Sequence, residues 1–421
     1  MIDGELPRRS ATLVSRRMRA FRVVVVSGPR QAGKTTMLGQ VVELGGERMV
    51  SFDRPDLLAR ATDDPLGFVT GFGKPLAIDE FQRAGNDLLL AVKYQVDRND
   101  ERGQFVLAGS TNFLSNTRLA DTLAGRVGLV EVLPLSQGEI RGTREQFIDR
   151  AFEGADVIAA ASRRAGGVDR PVLARLLAIG GYPEVVRFTD QIDRAEFFRS
   201  YVDTVTGRES LEDVGALRTR QELRRLIAKV AARTSCEYHP TILASDAGIT
   251  RQTVSAYVEM LQALYLVMLL PAWSTSATKR AKQASKLHVI DSGLASALTA
   301  STEQAMRRPD HRLFGQILET FVATELAKAK AWAETQVELL HFRDRQKREV
   351  DLIIEAEDGR IVALEVKAAL TVSPKAFTHL GYLRDSVGDR FVAGLVLHGG
   401  DTVWRHSDRL WALPLSALWA A

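Results

Sequence analysis

Residues 22–38, RVVVVSGPRQAGKTTML, constrain the fold more than any other stretch of the chain. The four valines at 23–26 predict a short strand buried on both faces, because β-branched side chains pack well on a pleated surface. A strict spacing follows, in which four residues separate Gly28 from Gly33, and Lys34 and Thr35 come next. Between a strand and a helix this spacing predicts a phosphate-binding loop; a glycine-rich turn without a ligand is the alternative.

Each part of this loop has a physical role. The glycines let the backbone turn tightly, so that successive N–H groups face a polyphosphate at the positive end of the next helix. Lys34 would lie along the β- and γ-phosphates, and Thr35 would supply a hydroxyl ligand for magnesium. The residues expected around the nucleotide are Gly28, Pro29, Arg30, Gln31, Ala32, Gly33, Lys34, Thr35 and Thr36.

Two acids end the apolar strand predicted at residues 76–80, LAIDE. Asp79 is placed to hold magnesium, directly or through water, and Glu80 to orient and deprotonate the attacking water. The alternative is an acidic turn in which Asp79 only caps the next helix.

Polar residues also follow the strand predicted at 104–108. The carboxyl ends of parallel strands share one edge of the sheet, so Ser110 can reach the γ-phosphate or its water, with Asn112 as second choice. Arg126 ends the stretch 119–126, which is predicted as a helix closed by glycine, and precedes a strand predicted at 127–133. Its rigid guanidinium suits charge developing on phosphoryl oxygens, from this chain or a neighbouring copy, and a surface arginine is the alternative.

The middle of the chain is predicted to be mostly helical. Residues 137–165 and 171–179 have helical periodicity, and amphipathic helices at 193–206 and 221–233 would form a lid beside the nucleotide, around a polar loop at 207–220. Residues 239–273 are similar to a winged helix, with helices at 241–247 and 251–264 and a strand at 265–270.

Basic residues near this unit suggest contact with DNA. Arg251, Gln252 and Ser255 would be exposed at the start of the second helix, where recognition helices touch base edges. A basic run suited to phosphates follows, made of Lys279, Arg280, Lys282 and Lys286. A winged helix used as a protein interface is the alternative. The N-terminal arginines are interpreted as a solvated face; they are Arg8, Arg9, Arg16, Arg17, Arg19 and Arg22.

The C-terminal part is predicted to contain a helix at 312–330, strands at 337–342, 349–355 and 360–368, a helix near 374–384 and a strand at 391–397. A hairpin turn at Asp358 would join the second and third strands. This order resembles the restriction-endonuclease-like core.

Acidic residues in that core suggest a second magnesium site. Asp351 lies within one strand, and Glu365 and Lys367 share a face of the next strand because side chains two apart point the same way. Together with the helical Glu319, Asp351 and Glu365 would hold magnesium, and Lys367 would help to generate hydroxide. The alternative is a fold that has lost its chemistry. Four basic residues precede Asp351 and could contact a nucleic-acid backbone, namely Arg343, Arg345, Lys347 and Arg348.

Several motifs in order resemble one family: GPRQAGKTT, LAIDE, VLAGSTNF, LAGR and IGGYPEVV. They are similar to AAA-type ATP-binding proteins of bacteria and archaea that carry a C-terminal domain of unknown function. The resemblance spans essentially the whole chain and implies ATP binding with Mg²⁺. It also implies an α/β fold with four parts: a P-loop domain with a parallel sheet at 1–136, a helical lid at 137–235, a winged helix at 236–300 and a nuclease-like domain at 305–421.

Composition limits the remaining classes of protein. The single cysteine, Cys236, excludes an intramolecular disulfide, and a formal charge of +4 is slight for 421 residues. The N-terminus has no apolar core and no run is long enough to cross a bilayer, so we expect a cytoplasmic protein that is not bound to membrane. We expect an ATPase that acts on DNA or is regulated by it. The sequence does not decide whether it forms a homo-oligomer. The alternative is a nucleotide-switched regulator that binds DNA or protein without cleavage.

Overall fold

The computed structural model describes residues 5–41, 44, 48–110, 123, 125–207, 220–274, 280 and 283–420. Asn112, Lys279 and Lys282 lie outside these residues. So do most of the helix predicted at 119–126, all of the loop predicted at 207–220 except its two ends, and part of the helix predicted at 36–44.

The first third of the chain alternates helices and strands around a parallel sheet. Its elements are α1 (Arg9–Ala20), β1 (Val23–Ser27), α2 (Lys34–Gly39), β2 (Met49–Ser51), α3 (Pro55–Asp63), α4 (Pro65–Gly71), β3 (Leu76–Asp79), a 3-10 turn (Phe81–Ala84), α5 (Gly85–Arg98), β4 (Phe105–Gly109) and β5 (Val127–Glu131). The strand order is β2-β3-β4-β1-β5. All five residues of β1 are buried, as the valine run predicts. The carboxyl ends of β1, β3 and β4 meet at one edge of the sheet.

Helices make up the next part of the chain. They are α6 (Gln137–Arg141), α7 (Phe147–Glu153), α8 (Ala155–Ser162), α9 (Arg170–Ile179), α10 (Pro183–Arg187), α11 (Gln191–Val205) and α12 (Arg220–Ala231). Ser136 and Glu139 form a reciprocal capping box that fixes the start of α6. Gly142 and Gly154, both with positive φ, divide the region predicted at 137–165 into separate helices.

A small antiparallel sheet follows α12. The elements are β6 (Cys236–Glu237), α13 (Pro240–Ala247), α14 (Arg251–Ala263), β7 (Val267–Leu270) and β8 (Lys286–Val289), and the strand order is β6-β8-β7. Leu226 of α12, Leu243 of α13 and Leu261 of α14 belong to one buried cluster that also includes Val202 of α11. The helices predicted as a lid and the unit after them therefore share a core.

The C-terminal part is a mixed sheet with helices. Its elements are α15 (Ser292–Leu298), α16 (Glu303–Arg307), α17 (Phe314–Lys330), β9 (Val337–Arg343), β10 (Glu349–Ala356), β11 (Ile361–Lys367), a 3-10 turn (Pro374–Phe377), α18 (Thr378–Val387), a 3-10 turn (Gly388–Arg390), β12 (Phe391–His398), β13 (Trp404–Ser407), β14 (Leu410–Pro414) and α19 (Ala417–Ala420). The strand order is β13-β14-β12-β11-β10-β9. Leu352 faces Leu364 across antiparallel β10 and β11, which confirms the predicted hairpin. Strands β13 and β14 are not predicted from the sequence.

Among the helices that the structure describes, none combines the length and the apolar character needed to span a bilayer.

Candidate nucleotide-binding site

The glycine-rich loop after β1 borders a cavity of about 1060 Å³. A Cβ atom on Gly28 would lie 2.1 Å from the carbonyl oxygen of Val132, so a larger residue cannot occupy this position. Gly33 has a φ of +86°, and Gln31 takes a positive φ of 59° without being glycine. The loop thus has the tight path that the two predicted glycines allow.

Lys34 lies within the curve of this loop. Its Nζ donates hydrogen bonds to the carbonyl oxygens of Gly28 and Pro29, at 2.9 and 2.8 Å. Burial lowers the pKa of Lys34 to about 8, although the carboxylates of Glu80 and Asp79 oppose that shift. Bound phosphate would supply a stronger, charged acceptor than the loop carbonyls.

Thr35 and Asp79, predicted to share one magnesium ion, lie side by side. Thr35 Oγ1 donates a 2.6 Å hydrogen bond to Asp79 Oδ2. Asp79 ends β3 and is buried, in register with Ala108 of β4. A hydroxyl and a carboxylate next to a phosphate site fit Mg²⁺, which usually takes one or two carboxylates with substrate phosphates and waters.

Glu80 and Ser110 lie at the same edge of the sheet and share a neighbour. Gln82 Nε2 donates to Glu80 Oε2 and lies 3.4 Å from Ser110 Oγ. Glu80 has a φ of 52°, a conformation that costs a non-glycine residue energy and is enriched at functional sites. Burial raises the pKa of Glu80, while the charge of Lys34 opposes the shift. No sequence pattern singled out Gln82.

Arg126 lies at the opposite edge of the sheet. Its carbonyl oxygen accepts a hydrogen bond from Val23 N, and the next residue, Val127, is in register with Val23 at the start of β1. The five residues of β1 span roughly 13 Å or more, which separates Arg126 from the phosphate loop. Its guanidinium forms an ion pair with Asp97 of α5. A role as an arginine finger within the same chain therefore does not fit its position.

The sequence analysis missed some residues that line the cavity. Arg8, Pro183 and Arg187 are among them. Pro183 belongs to the motif IGGYPEVV, whose residues carry no predicted site role; Gly181 N in the same motif donates to Asp291 Oδ2 at 2.7 Å, which fixes the chain before Pro183. Arg8 was expected on a solvated face, but it is only 7% exposed and pairs with Glu139.

Two acidic residues predicted at the C-terminal metal site, Glu319 and Asp351, lie beside a buried lysine, together with Glu349, which the sequence did not single out. Lys286 of β8 is 1% exposed, and its Nζ lies 2.7 Å from both Glu319 Oε1 and Glu349 Oε1 and 3.9 Å from Asp351 Oδ1. Burial disfavours the ammonium, but the charges of Glu319, Asp351 and Glu349 outweigh it and raise the pKa of Lys286. The expectation that Lys286 faces nucleic acid is wrong, because the side chain is buried and paired.

Glu365 and Lys367 adjoin this cluster. Lys367 Nζ lies 2.8 Å from Glu365 Oε2, and Asp351 Oδ2 accepts a 2.8 Å hydrogen bond from Val366 N. Burial and then the charge of Asp351 raise the pKa of Glu365 to about 8. Within the described part of the chain, no group of three or more His, Cys, Asp or Glu side chains is arranged to hold a metal. A magnesium ion held by Glu319, Asp351 and Glu365 stays a prediction.

The other basic residues predicted to bind DNA differ in exposure. Arg280, predicted to contact phosphates, donates to both carboxylate oxygens of Glu355, at 2.6 Å each. Arg343 pairs with Glu237 and Arg348 with Asp344. Among the predicted DNA contacts that the structure describes, the exposed side chains are Arg251, Gln252, Arg345 and Lys347, and Ser255 is half-buried.

Three family models match successive parts of the chain. An AAA domain matches residues 20–141, and two domains of unknown function, DUF8612 and DUF4143, match residues 170–305 and 314–418. The chain is also similar to the uncharacterized proteins Rv2008c of Mycobacterium tuberculosis and Mb2031c of Mycobacterium bovis. Each is 26% identical over 98% of this chain and 86% of the relative. The uncharacterized protein MJ1544 of Methanocaldococcus jannaschii is 24% identical over 81% of this chain and 74% of its own length.

Two solved structures align with part of this chain. The Walker-type ATPase PABY2304 of Pyrococcus abyssi aligns over 71% of this chain and 99% of its own, with 13% identity and a TM-score of 0.43. AMPPCP-bound DnaA from Aquifex aeolicus aligns over 62% and 89%, with 15% identity and a TM-score of 0.28. Both scores are too low for these likenesses to carry an argument. The loop geometry and the match at residues 20–141 support a P-loop ATPase domain of the AAA type in the first third of the chain.

Proposed function

We propose that the protein binds ATP with Mg²⁺ in the cavity after β1 and hydrolyses it. The observation that carries this proposal is the 2.6 Å contact between Thr35 Oγ1 and Asp79 Oδ2 beside the phosphate loop. It joins the two side chains that a P-loop ATPase uses to hold Mg²⁺, one from the start of α2 and one from the end of β3. An acidic turn that merely capped a helix would not require this contact.

The neighbouring groups have complementary roles in this proposal. Lys34 leaves the carbonyl oxygens of Gly28 and Pro29 and binds the β- and γ-phosphates, where its charge offsets theirs. Glu80 orients the attacking water and accepts its proton, since burial raises its pKa and improves it as a base. Ser110 lies within reach of the same water through Gln82. Bound Mg²⁺ would neutralise phosphate charge.

Calorimetric titration of ATP into the full chain, with and without Mg²⁺, tests binding directly. Lys34→Ala should weaken affinity by roughly a hundredfold, because it removes a charged contact to two phosphates. The exposed Lys229 offers a matched control, and Lys229→Ala should bind like the wild type. Equal affinity in Lys34→Ala and the wild type would overturn the assignment.

We further propose that α12, α13 and α14 with the sheet β6-β8-β7 form a winged helix, and that the six-stranded mixed sheet with α17 and α18 is restriction-endonuclease-like. Element order and strand order support both interpretations. Arg251 and Gln252 are exposed at the start of α14, the position from which a recognition helix meets base edges. DNA is therefore the favoured partner.

The buried Lys286 favours a nucleotide-switched binder over a nuclease as the role of the C-terminal part. Its ammonium already offsets part of the negative charge of Glu319, Glu349 and Asp351, so a divalent cation would gain less from this cluster. Tyr265, between α14 and β7, donates from its hydroxyl to Ser27 Oγ at 2.8 Å, directly before the phosphate loop. This contact offers a path from the nucleotide to the winged helix.

Fluorescence anisotropy with labelled double-stranded DNA, measured with ATP and then with ADP, tests this role. Arg251→Gln should weaken binding and reduce its salt dependence by about one counterion. Nicking of supercoiled DNA that is lost in Lys367→Ala would instead support the nuclease. No DNA binding in either nucleotide state would leave the protein-interface alternative.

A finger role for Arg126 from a neighbouring copy requires nucleotide-dependent oligomers, which light scattering would detect.

A further inference from the structure

Arg8, just before α1, joins the phosphate loop to two other segments. Its Nη1 donates to the carbonyl oxygen of Ala32 at 2.5 Å, and its Nη2 donates to the carbonyl oxygen of Leu133 at 2.6 Å. Its Nε donates to Glu139 Oε1 at 3.1 Å. All three guanidinium nitrogens therefore donate hydrogen bonds, and the side chain is almost fully buried.

The contact with Ala32 acts on the orientation of the phosphate loop. In a trans peptide the carbonyl and the following N–H point in opposite directions. The carbonyl of Ala32 and the N–H of Gly33 belong to one peptide unit. Because the guanidinium binds the oxygen of Ala32, the N–H of Gly33 points away from Arg8. That N–H belongs to the run of amides expected to face the phosphates, and it is followed at once by Lys34 and the start of α2. The guanidinium also lies against Gly33, where an added Cβ would be 3.4 Å from Nη1.

The contact with Glu139 extends this connection to the C-terminal region. Glu139 caps α6 together with Ser136. In the same turn, Gln137 N donates to Glu325 Oε2 of α17 at 2.7 Å. Lys328, one turn along α17, pairs with Glu325 and donates to the carbonyl oxygen of Leu135 at 3.0 Å. A continuous buried polar path thus leads from the phosphate loop to the long C-terminal helix.

We infer that Arg8 is a positioning residue for the phosphate loop, which orients the Gly33 amide toward phosphate and ties the loop to α17. The inference rests on the proposed function. Lysine cannot take this role, because a single ammonium lacks the planar fork that reaches Ala32, Leu133 and Glu139 together. Charge alone is therefore insufficient at this position.

Nucleotide affinity of the full chain tests the inference, with ADP as the probe in calorimetry well below the melting temperature. Arg8→Lys and Arg8→Gln should both weaken ADP binding, by roughly tenfold or more, because hydrogen bonds made by a charged group are lost. Arg19→Gln removes an exposed charge from α1, the helix that follows Arg8, and should bind ADP like the wild type. Glu139→Gln keeps the contacts with Ala32 and Leu133 and should give a smaller loss.

The outcomes separate this inference from the proposed function. If the wild type binds no nucleotide, the proposed function fails. If the wild type binds ADP and Arg8→Lys binds it equally well, Arg8 does not position the loop. A lower melting temperature in Arg8→Lys with unchanged affinity means a purely structural role and also overturns the inference. Should both Arg8 variants fail to fold, Glu139→Gln decides, since an unchanged affinity there contradicts the connection to α6.

Discussion

The ammonium of Lys286 lies 2.7 Å from Glu319 Oε1, although β8 belongs to the small antiparallel sheet and α17 packs on the C-terminal sheet. Glu349 of β10 lies at the same distance from the ammonium. One lysine therefore connects the two regions through carboxylates from a helix and a strand. The same side chain stands among the residues that the sequence analysis assigned to magnesium.

Replacing Lys286 by Met should destabilise the protein strongly. Removing one partner of a buried ion pair leaves uncompensated carboxylates and typically costs about 3 to 5 kcal/mol. Chemical denaturation of the full chain measures this loss, and Lys375→Met is the matched control because Lys375 is exposed. Equal unfolding midpoints for the wild type and Lys286→Met would show that the cluster does not depend on the ammonium.

The sequence could not place Lys286, because nothing local distinguishes it from Arg280, its neighbour in the basic run. Both were expected to face nucleic acid, yet the folded chain gives each a carboxylate partner more than 30 residues away. Periodicity and short motifs predict strands and loops well, as β1, β10 and β11 confirm. Long-range ion pairs carry no such signal, and the same limit explains the burial of Arg8.

His288 should make the protein less stable in acid. Burial first, and then the charge of Lys286, lowers the pKa of His288 to about 3, far below the ordinary value of 6.5. The unfolded chain then binds more protons than the folded chain between these values. The stability that this group contributes is present above the unfolded pKa and is lost as pH falls toward the folded pKa.

The variant His288→Asn isolates this contribution. Asn can keep a hydrogen bond to Thr320 Oγ1, which lies 3.1 Å from His288 Nδ1, but it does not titrate. Between about pH 6 and pH 4 the wild type should lose up to about 1.4 kcal/mol per pH unit more than the variant. Urea unfolding at a series of pH values measures the difference, and parallel curves would contradict the assignment.

Lys34 should take up a proton when ATP binds in alkaline solution. Its pKa is about 8 before phosphate arrives, and nearby phosphate charge favours the ammonium and raises it. Affinity should therefore fall as pH rises above about 8, by up to about tenfold per pH unit. Titrations in two buffers with different ionisation enthalpies reveal the proton uptake at about pH 9. Identical heats in both buffers would contradict this role of Lys34.

The nucleotide site was largely predictable because its residues follow a contiguous pattern and lie at one edge of a parallel sheet. Lys34, Thr35, Asp79, Glu80 and Ser110 come together as expected. Arg126 does not, since its position at the start of β5 places it at the other edge. The motif LAGR predicts that Arg126 lies directly before β5. The direction of β5 then places it at the amino ends of the strands, away from the phosphate loop.

ATP hydrolysis by the full chain, with and without double-stranded DNA, tests the central claim most directly. Glu80→Gln should bind ATP like the wild type but turn it over on the order of a hundredfold more slowly, because only the group that accepts the proton is removed. Glu153→Gln, at an exposed position, should retain full activity. Equal hydrolysis rates in Glu80→Gln and the wild type would contradict the account.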